Sequence, residues 1–338
     1  MSAPFVRVSP DPEVSFNEAA GLFPVPQLRL LRLSVTTRCN FRCRYCMPVK
    51  GVPKLTHDDL LPLEGLVGLV QWLSSHAGIE RVRITGGEPL VRRGIEHLIE
   101  GLSALPQIQE VSLTTNGSLL PQMARSLKSA GLNRVNISLD SLDAGRFQAV
   151  TRGGSLKQTL AGIAAAQHAG LAPIKLNSVL QRSTWKEEVP RLLDYSASTG
   201  FEIRFIELMR TGTERTWCES EYISAGEVCE SLGAEVLPVE QQAQASARRT
   251  VVNWLGAPLL VGWITPRSHP FCRRCERLRM DAQGRVRRCL MDPTTLDLPQ
   301  MLGTMDGVAA RRQFEEYIAG KVPPLAMDSP FAMNQVGG

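Results

Sequence analysis

The sequence predicts an α/β fold, in which a partial (β/α)6 barrel of the TIM type is followed by a smaller C-terminal domain. Two observations carry this prediction. Short β-rich runs alternate with amphipathic helical stretches from about residue 30 to 215, a pattern typical of parallel strands joined by crossover helices. Polar residues stand where several of these strands end, which favours a bowl with an active site at its carboxyl edge over an open doubly wound sheet.

Six runs, each bounded by polar residues, glycine or proline, are the strand candidates. They are RLLRLSVT (29–36), RVRITG (81–86), EVSLTTNG (110–117), RVNISLD (134–140), PIKLNSVL (173–180) and EIRFIELM (202–209). The stretches between them, such as 58–78 and 155–170, carry apolar residues at three- and four-residue spacing and predict helices. We expect the polar strand ends to meet at one edge: 85–89, 114–117, 138–140 and 207–209.

The alternation stops after about residue 215, where the polar stretch EQQAQASARR precedes further strand-like sequence. We therefore expect an N-terminal extension (1–28), the barrel (29–215), a C-terminal domain (216–328) and a tail (329–338). The 338 residues carry a formal net charge of only +5, which does not indicate nucleic acid and suits an anionic small substrate. No secretory signal or membrane span is visible, and we expect a cytoplasmic protein.

Six of the eight cysteines fall into two groups, Cys39, Cys43 and Cys46 and then Cys272, Cys275 and Cys289. Clustered thiols in a chain of this size indicate metal binding, not a disulfide framework. Structural zinc normally has four protein ligands, whereas the first group offers three, so an iron–sulfur cluster with one open iron fits better. Zinc stays an alternative, completed in the second group by His269. Cys218 and Cys229 lie apart from both groups, and we expect them to be isolated thiols.

The first group has the spacing C-x3-C-x2-C, with the aromatic Tyr45 just before the last cysteine. This resembles the signature of radical S-adenosylmethionine enzymes, and TGGEP after the second strand resembles their stretch that meets the methionine amino group. Gly86 and Gly87 would let the backbone come close there. The resemblance implies that the open iron chelates the methionine moiety and that reduction gives a 5′-deoxyadenosyl radical.

A longer series of segments resembles the GTP 3′,8-cyclases of molybdenum cofactor biosynthesis, the MoaA family, in order from about residue 31 to 338. The segments are RLSVTTRCNFRCRYCMP, RITGGEPLVRR, LTTNGSLL, NISLDSLD, EIRFIELM, FCRRCERLRM and a terminal GG. The resemblance implies that the radical takes the hydrogen from C3′ of GTP and that the sugar radical adds to guanine C8. The product would be 3′,8-cyclo-7,8-dihydro-GTP.

The resemblance also implies cofactors and partners. It implies two [4Fe-4S] clusters, of which the second binds guanine, and then His269 is a bystander. A MoaC-type cyclic pyranopterin monophosphate synthase would take the product, and a flavodoxin or ferredoxin would supply electrons. A homodimer stays open, and neither a membrane nor a nucleic acid is expected as a partner.

Carried over by position, the family's contacts to S-adenosylmethionine fall on Tyr45, Gly87, Ser138 and Met209. Its contacts to GTP fall on Arg32, Arg83, Thr114 and Lys175 and, beside the second cluster, on Arg277 and Arg279. Gly337 and Gly338 resemble its Gly-Gly tail, which assists the radical step.

The chemistry of a triphosphate suits these cations, because arginine supplies planar, forked donors. Arg32 and Arg83 lie within otherwise apolar strands, where an unpaired charge would be costly, so we expect both to point into the bowl. Arg204 has the same pattern and joins the substrate set. One departure is Thr37, where the family usually has Asp.

Two rival functions stay open at this point. A radical S-adenosylmethionine enzyme acting on RNA or a peptide would fit the seven arginines between residues 273 and 288, although no aromatic residues for base stacking are interleaved there. A zinc-stabilised binding protein would explain the thiols, but it explains neither the polar strand ends nor a group of three ligands.

Overall fold

A computed structural model describes the chain from residue 27 onward, except 54, 57–58, 212–213, 233–235, 239–246, 273–274, 322–327, 330–331 and 334–338. The predicted tail residues Gly337 and Gly338 and nearly all of the extension 1–28 lie outside the described residues.

The six predicted strands form, and they lie side by side in parallel in chain order. The strands are β1 (Leu30–Ser34), β2 (Arg81–Thr85), β3 (Glu110–Thr115), β4 (Arg134–Ser138), β5 (Lys175–Val179) and β6 (Glu202–Ile206). The helices that connect them are α1 (Leu63–Ala77), α2 (Ile95–Ser103), α3 (Leu120–Ser129), α4 (Ala144–Thr151), α5 (Leu156–His168) and α6 (Trp185–Thr199). The partial barrel is confirmed.

Side chains of these strands alternate between an apolar outer face and a polar inner face. The outer positions are fully buried in one core with the helices, and they include Leu31, Leu33, Val82, Ile84, Val111, Leu113, Val135, Ile137, Leu176, Ile203 and Phe205. Because side chains along a strand alternate with a period of two, the residues between these positions face the lumen. Most of the predicted substrate contacts occupy such inner positions.

The later part of the chain extends the same sheet on both sides. Its elements are β7 (Arg210–Thr211), α7 (Arg215–Ser220), α8 (Ala225–Ser231), β8 (Val236–Pro238), β9 (Arg248–Trp254), β10 (Ala257–Ile264), β11 (Arg277–Met280), β12 (Arg285–Arg287), β13 (Leu296–Asp297), α9 (Leu298–Thr304), α10 (Gly307–Ala319) and β14 (Asp328–Ser329). Strand β11 pairs in parallel with β1, and β10 pairs in parallel with β6.

Twelve of the described strands, from both sides of residue 215, therefore share one sheet, in the order β13-β12-β11-β1-β2-β3-β4-β5-β6-β10-β9-β8. Strands β7 and β14 pair in parallel as a separate two-stranded sheet. They also share one apolar core. The division into a barrel and a C-terminal domain stays a prediction. No helix in the described ranges has both the length and the apolar character needed to cross a bilayer.

Candidate active site

The first three cysteines lie on a loop beyond the carboxyl end of β1. Burial raises the pKa of Cys43 well above its ordinary value, and the negative charges of Cys46, Asp140 and Cys39 raise it further. Burial likewise raises the pKa of Cys39 to about 11. The amides of Cys46 and Met47 both donate to the carbonyl of Cys43, at 2.9 and 3.0 Å, which folds the loop into a turn.

Gly86 and Gly87 allow the turn after β2 to pack directly on the start of this loop. A Cβ on Gly87 would overlap the carbonyl oxygen of Arg38, and one on Gly86 would lie 2.7 Å from that of Thr36. The amide of Gly87 donates to Thr36 at 2.7 Å, and the amide of Glu88 donates to Arg38 at 2.8 Å. The close approach expected of these glycines thus occurs against the protein's own backbone.

The buried carboxylate of Glu88 stabilises this contact between the turn after β2 and the cysteine loop. Glu88 accepts hydrogen bonds from the Thr115 hydroxyl at 2.7 Å, from the Asn116 amide at 2.8 Å and from the Leu90 amide at 3.1 Å. Burial raises the pKa of Glu88 to about 7 in spite of these donors. Asn116 in turn donates through Nδ2 to Asn40 on the cysteine loop, at 2.8 Å.

Tyr45 ties the cysteine loop to the far side of the barrel. Its hydroxyl donates to Asp140 Oδ2 at 2.7 Å, and Asp140 Oδ1 accepts from the Val179 amide at 2.9 Å. The Thr211 hydroxyl donates to the Tyr45 carbonyl at 3.0 Å. The loop is therefore held against the carboxyl ends of β4 and β5 and against β7. Ser138 lies on the lumen face near this contact, half-buried and in register with Asn177 of β5.

The second cysteine group lies at the other end of the strands. Cys272 and Cys275 precede β11, and Cys289 follows the antiparallel strand β12, so all three lie where β11 begins. Burial raises the pKa of Cys272, and the charges of Cys289 and Cys275 raise it further.

Two cations act on the thiol of Cys275. The Arg277 Nε lies 3.4 Å from its sulfur, and the Arg277 guanidinium lies 4.6 Å from the ring centroid of Phe271. Burial opposes ionisation, but Arg277 and Lys321 outweigh burial and lower the pKa of Cys275 to about 6. A thiolate, the form that binds iron, is therefore favoured here at neutral pH.

The chemistry of both groups suits iron–sulfur clusters, because each offers three thiols and would leave one iron open. Among the residues that the structure describes, no three His, Cys, Asp or Glu side chains are arranged around one ion. A four-iron cluster takes each cysteine on a different iron, so its ligands stand farther apart than those of one zinc. His269 instead lies with its Nδ1 3.2 Å from the Ser268 hydroxyl.

A row of arginines crosses the lumen between the two cysteine groups. Arg32 is in register with Arg279 on one side and with Arg83 on the other. Burial lowers the pKa of Arg32, and repulsion from Arg279 and Arg83 lowers it further. Burial, Arg134 and Arg204 lower the pKa of Arg83 to about 9. The buried Nε of Arg83 has no hydrogen-bond partner in the described structure, so the row suits an anion.

Other predicted substrate contacts continue the row around the lumen. The Thr114 hydroxyl accepts from Asn136 Nδ2 at 3.4 Å. Lys175 and Arg204 both contact Glu202, at 3.8 and 2.6 Å. Burial, with Arg204 next in effect, lowers the pKa of Lys175 to about 7.

An apolar contact connects the two cysteine groups along one side. Met209 and Met333 pack on Leu290 and Met291 together with Cys289. The Met333 amide also donates to the carbonyl of Cys46, at 3.1 Å. The C-terminal segment therefore reaches the first cysteine loop.

Sequence reasoning missed several lumen residues that pair with a predicted residue or with one another, namely Glu110, Arg134, Glu202 and Arg249. Arg134 makes a two-point contact with Glu110, at 2.7 and 3.0 Å. A signal for Glu202 was present, because it stands two positions before Arg204 and so shares its face of the strand. No local pattern could have brought Arg249 here from another part of the sheet.

Comparison with known proteins gives two family matches and several close relatives. Residues 33–195 match the Radical SAM superfamily, and residues 201–326 match Molybdenum Cofactor Synthesis C. A GTP 3′,8-cyclase of Pelotomaculum thermopropionicum is 42% identical over 274 residues, 80% of this chain and 84% of that one. The GTP 3′,8-cyclase of Moorella thermoacetica is 40% identical over 320 residues, covering 92% and 98%. That of Streptomyces coelicolor is 41% identical over 270 residues, covering 79% of each chain.

Among solved structures, Streptococcus suis SuiB bound to S-adenosylmethionine is similar, with a TM-score of 0.62 and 14% sequence identity. The match covers 84% of this chain and 67% of SuiB. At this identity the likeness shows a shared fold alone.

Proposed function

The chain belongs to the GTP 3′,8-cyclase family of radical S-adenosylmethionine enzymes, and from that premise we propose a role for each part of its site. It converts GTP to 3′,8-cyclo-7,8-dihydro-GTP in molybdenum cofactor biosynthesis. When bound, S-adenosylmethionine and the first [4Fe-4S] cluster would supply the 5′-deoxyadenosyl radical that takes the C3′ hydrogen, and the second cluster would hold guanine while the sugar carbon bonds to C8. An electron from the reducing partner and a proton would then complete the 7,8-dihydro product. Relatives with this activity at about 40% identity favour it over RNA or peptide modification.

We assign the cysteines to the two clusters by their groups. Cys39, Cys43 and Cys46 would hold the first cluster, and Cys272, Cys275 and Cys289 would hold the second. The fold supports this assignment, because it brings the first group together on the loop after β1 and the second group to the point where β11 begins. Each group leaves one iron open, the first for S-adenosylmethionine and the second for guanine.

We propose that Tyr45, Gly87, Ser138 and Met209 surround S-adenosylmethionine. All four lie near the carboxyl ends of barrel strands or on the cysteine loop that packs there. The hydrogen bond from Tyr45 to Asp140 fixes that loop against the barrel, and the contact of Gly87 with its start fixes the turn after β2.

The observation that carries the substrate assignment is the row formed by Arg279, Arg32 and Arg83. It spans three adjacent strands between the two cysteine groups, and the buried Nε of Arg83 is without a partner in the described residues. Forked arginine donors match phosphate oxygens. We propose that this row, with Arg277, Arg204, Lys175 and Thr114, binds the triphosphate and sugar of GTP.

We further propose a cytoplasmic location, because open irons call for a reducing compartment. A flavodoxin or ferredoxin would supply electrons, and a MoaC-type synthase would take the product. A homodimer and a catalytic role for Gly337 and Gly338 belong to the same proposal, and the latter is supported by the contact of Met333, four residues before Gly337 in the chain, with the carbonyl of Cys46.

The test is an anaerobic assay of the reconstituted enzyme with reductant, S-adenosylmethionine and either GTP or ATP. We expect 5′-deoxyadenosine with a cyclised product from GTP and none from ATP. Arg83→Ala should weaken GTP binding by roughly tenfold or more, as expected for loss of a hydrogen bond to a charged group. Arg311→Ala, on the exposed face of α10, is the matched control. Formation of 5′-deoxyadenosine without any product from GTP would contradict the substrate assignment.

A further inference from the structure

We propose that Glu202 is a positioning residue that holds Lys175, Arg204 and Arg249 together as one wall of the GTP site. The inference rests on the proposed function, in which Lys175 and Arg204 contact GTP. It adds to that function a carboxylate that binds no substrate and a cation, Arg249, that comes from another part of the sheet.

The geometry is that of one carboxylate shared by three cations. Glu202 Oε1 lies 2.6 Å from Arg204 Nε, and Oε2 lies 2.9 Å from Arg249 Nη2 and 3.8 Å from Lys175 Nζ. The side chains of Glu202, Arg204 and Lys175 are only 12%, 10% and 11% exposed. Each cation is therefore held in the lumen before any substrate arrives.

The sheet register builds this arrangement from three parts of the chain. Lys175 of β5 is in register with Glu202 of β6, and Arg204 of β6 is in register with Gly262 of β10. Gly262 is in turn opposite Arg249 of β9. A Cβ at Gly262 would lie 2.8 Å from Arg204 Cγ, so the glycine leaves room for the arginine to turn towards Glu202.

The charges around Lys175 show what the carboxylate of Glu202 contributes. Lys175 is faced by Glu202 and Arg204 from β6, by Arg134 from β4 and by Arg249 from β9. Of these, Glu202 alone is an anion, and without it the ammonium group would face three guanidinium groups at low exposure.

Protonation of Lys175 is the consequence that can be measured. The pKa of Lys175, already lowered to about 7 by burial and then by Arg204, would fall further without Glu202, which raises it. A neutral amine does not attract phosphate, so Glu202 would keep Lys175 charged for the substrate.

The test uses Glu202→Gln in the cluster-loaded enzyme, with the dissociation constant of GTP measured anaerobically by equilibrium dialysis between pH 6 and 9. In the wild type, affinity should fall as pH rises through the pKa of Lys175, because the protonated form binds phosphate. In Glu202→Gln the fall in GTP affinity should occur about one pH unit lower. The affinity for GTP should therefore be roughly tenfold weaker at pH 7.5.

Further variants separate this effect from a loss of folding. Arg249→Gln removes a repelling cation, so the fall in affinity should move to higher pH, opposite to Glu202→Gln. Lys175→Arg places a side chain at position 175 that stays protonated throughout this pH range. The pH dependence of GTP affinity that remains in this variant comes from the nucleotide. Glu202→Asp should recover part of the affinity. Glu80→Gln, a similarly paired glutamate next to β2, should behave as wild type.

The outcomes are distinguishable. A wild-type pH profile in both Glu202→Gln and Arg249→Gln would overturn the positioning role. If Glu202→Gln does not fold, a wild-type pH profile in Arg249→Gln is enough to overturn the positioning role of Glu202. If Lys175→Ala and Arg204→Ala leave GTP affinity unchanged, the substrate assignment itself fails, whatever the result for Glu202.

Discussion

The absence of a Cβ at Gly87 lets the turn after β2 pack against the cysteine loop. A Cβ there would overlap the carbonyl oxygen of Arg38, which is backbone and has little freedom to move. We expect Gly87→Ala to lower the free energy of unfolding by about 3 kcal/mol, and to reduce iron retention at the first cluster, because overpacking against backbone displaces the cysteine loop.

Urea unfolding and iron analysis would measure this effect. Gly68→Ala is the matched control, since nothing lies within 4 Å of a Cβ there. Gly68 is inside α1, where alanine should raise stability by roughly 0.5–1 kcal/mol. Equal losses of iron in the two variants would contradict the role given to Gly87.

The two cysteine groups should differ in what they do to the radical step. We expect Cys39→Ala to abolish cleavage of S-adenosylmethionine, because the first cluster would lose one of its three proposed ligands. Cys289→Ala should spare some uncoupled cleavage while product formation stops, because the second cluster, which we propose as the guanine site, loses a ligand. Quantifying 5′-deoxyadenosine and cyclised product together measures both, and equal uncoupled cleavage by the two variants would count against the division of labour.

The sequence predicted lumen residues well where a charge interrupts an apolar strand, as at Arg32, Arg83 and Arg204. It predicted less well the roles of the polar residues at the ends of the strands. Glu88 and Asp140 accept hydrogen bonds from the protein's own amides and hydroxyl groups, which are invisible without tertiary contacts. A local pattern gives the direction of a side chain but does not give its partner.

At the scale of elements, Glu207 joins three pieces of the later chain. It follows β6, and its buried carboxylate accepts from the Ala225 amide at the start of α8, at 3.1 Å. It also accepts from the amides of Arg267 and Ser268 after β10, at 3.1 and 2.9 Å, and from the Ser268 hydroxyl. The segment that leads to Cys272 is thus anchored to the end of β6.

We expect Glu207→Ala to lower the free energy of unfolding by about 3 kcal/mol, because several buried donors lose their acceptor at once. Iron at the second cluster should fall more than iron at the first. Chemical denaturation with iron analysis would measure this, and Glu230→Ala on the exposed side of α8 should change stability by no more than about 0.5 kcal/mol. Full iron content in Glu207→Ala would remove the anchoring role.

For the whole molecule, the lumen carries an excess of positive charge that a polyanion would relieve. A ligand that binds only the folded state stabilises it, by about 2.7 kcal/mol at a hundred times its dissociation constant. We expect inorganic tripolyphosphate to raise the melting temperature of the wild type. The rise should be smaller in Arg32→Ala and Arg83→Ala, with sodium chloride at equal ionic strength as the control. An equal rise in all three proteins would indicate binding elsewhere.

The overall architecture was partly predictable. The period of side chains along each strand and helix is a local property, so the six barrel strands and their helices could be read from the sequence. The pairing of β11 with β1, and of β10 with β6, joins residues some 250 and 60 positions apart. No local period encodes such contacts, and they are what brings Arg279 beside Arg32 and Arg249 beside Glu202.

The pairing of β1 with β11 also sets an order of events during synthesis. The strand that leads into the first cysteine loop emerges early from the ribosome, while its neighbour, Arg277–Met280, emerges only when most of the 338 residues have been made. Until then one side of β1 has bare amides and carbonyls, which are prone to pair with other chains. The nascent barrel therefore exposes this edge until β11 has been translated, and the two cysteine groups coexist only after Cys289 has been added.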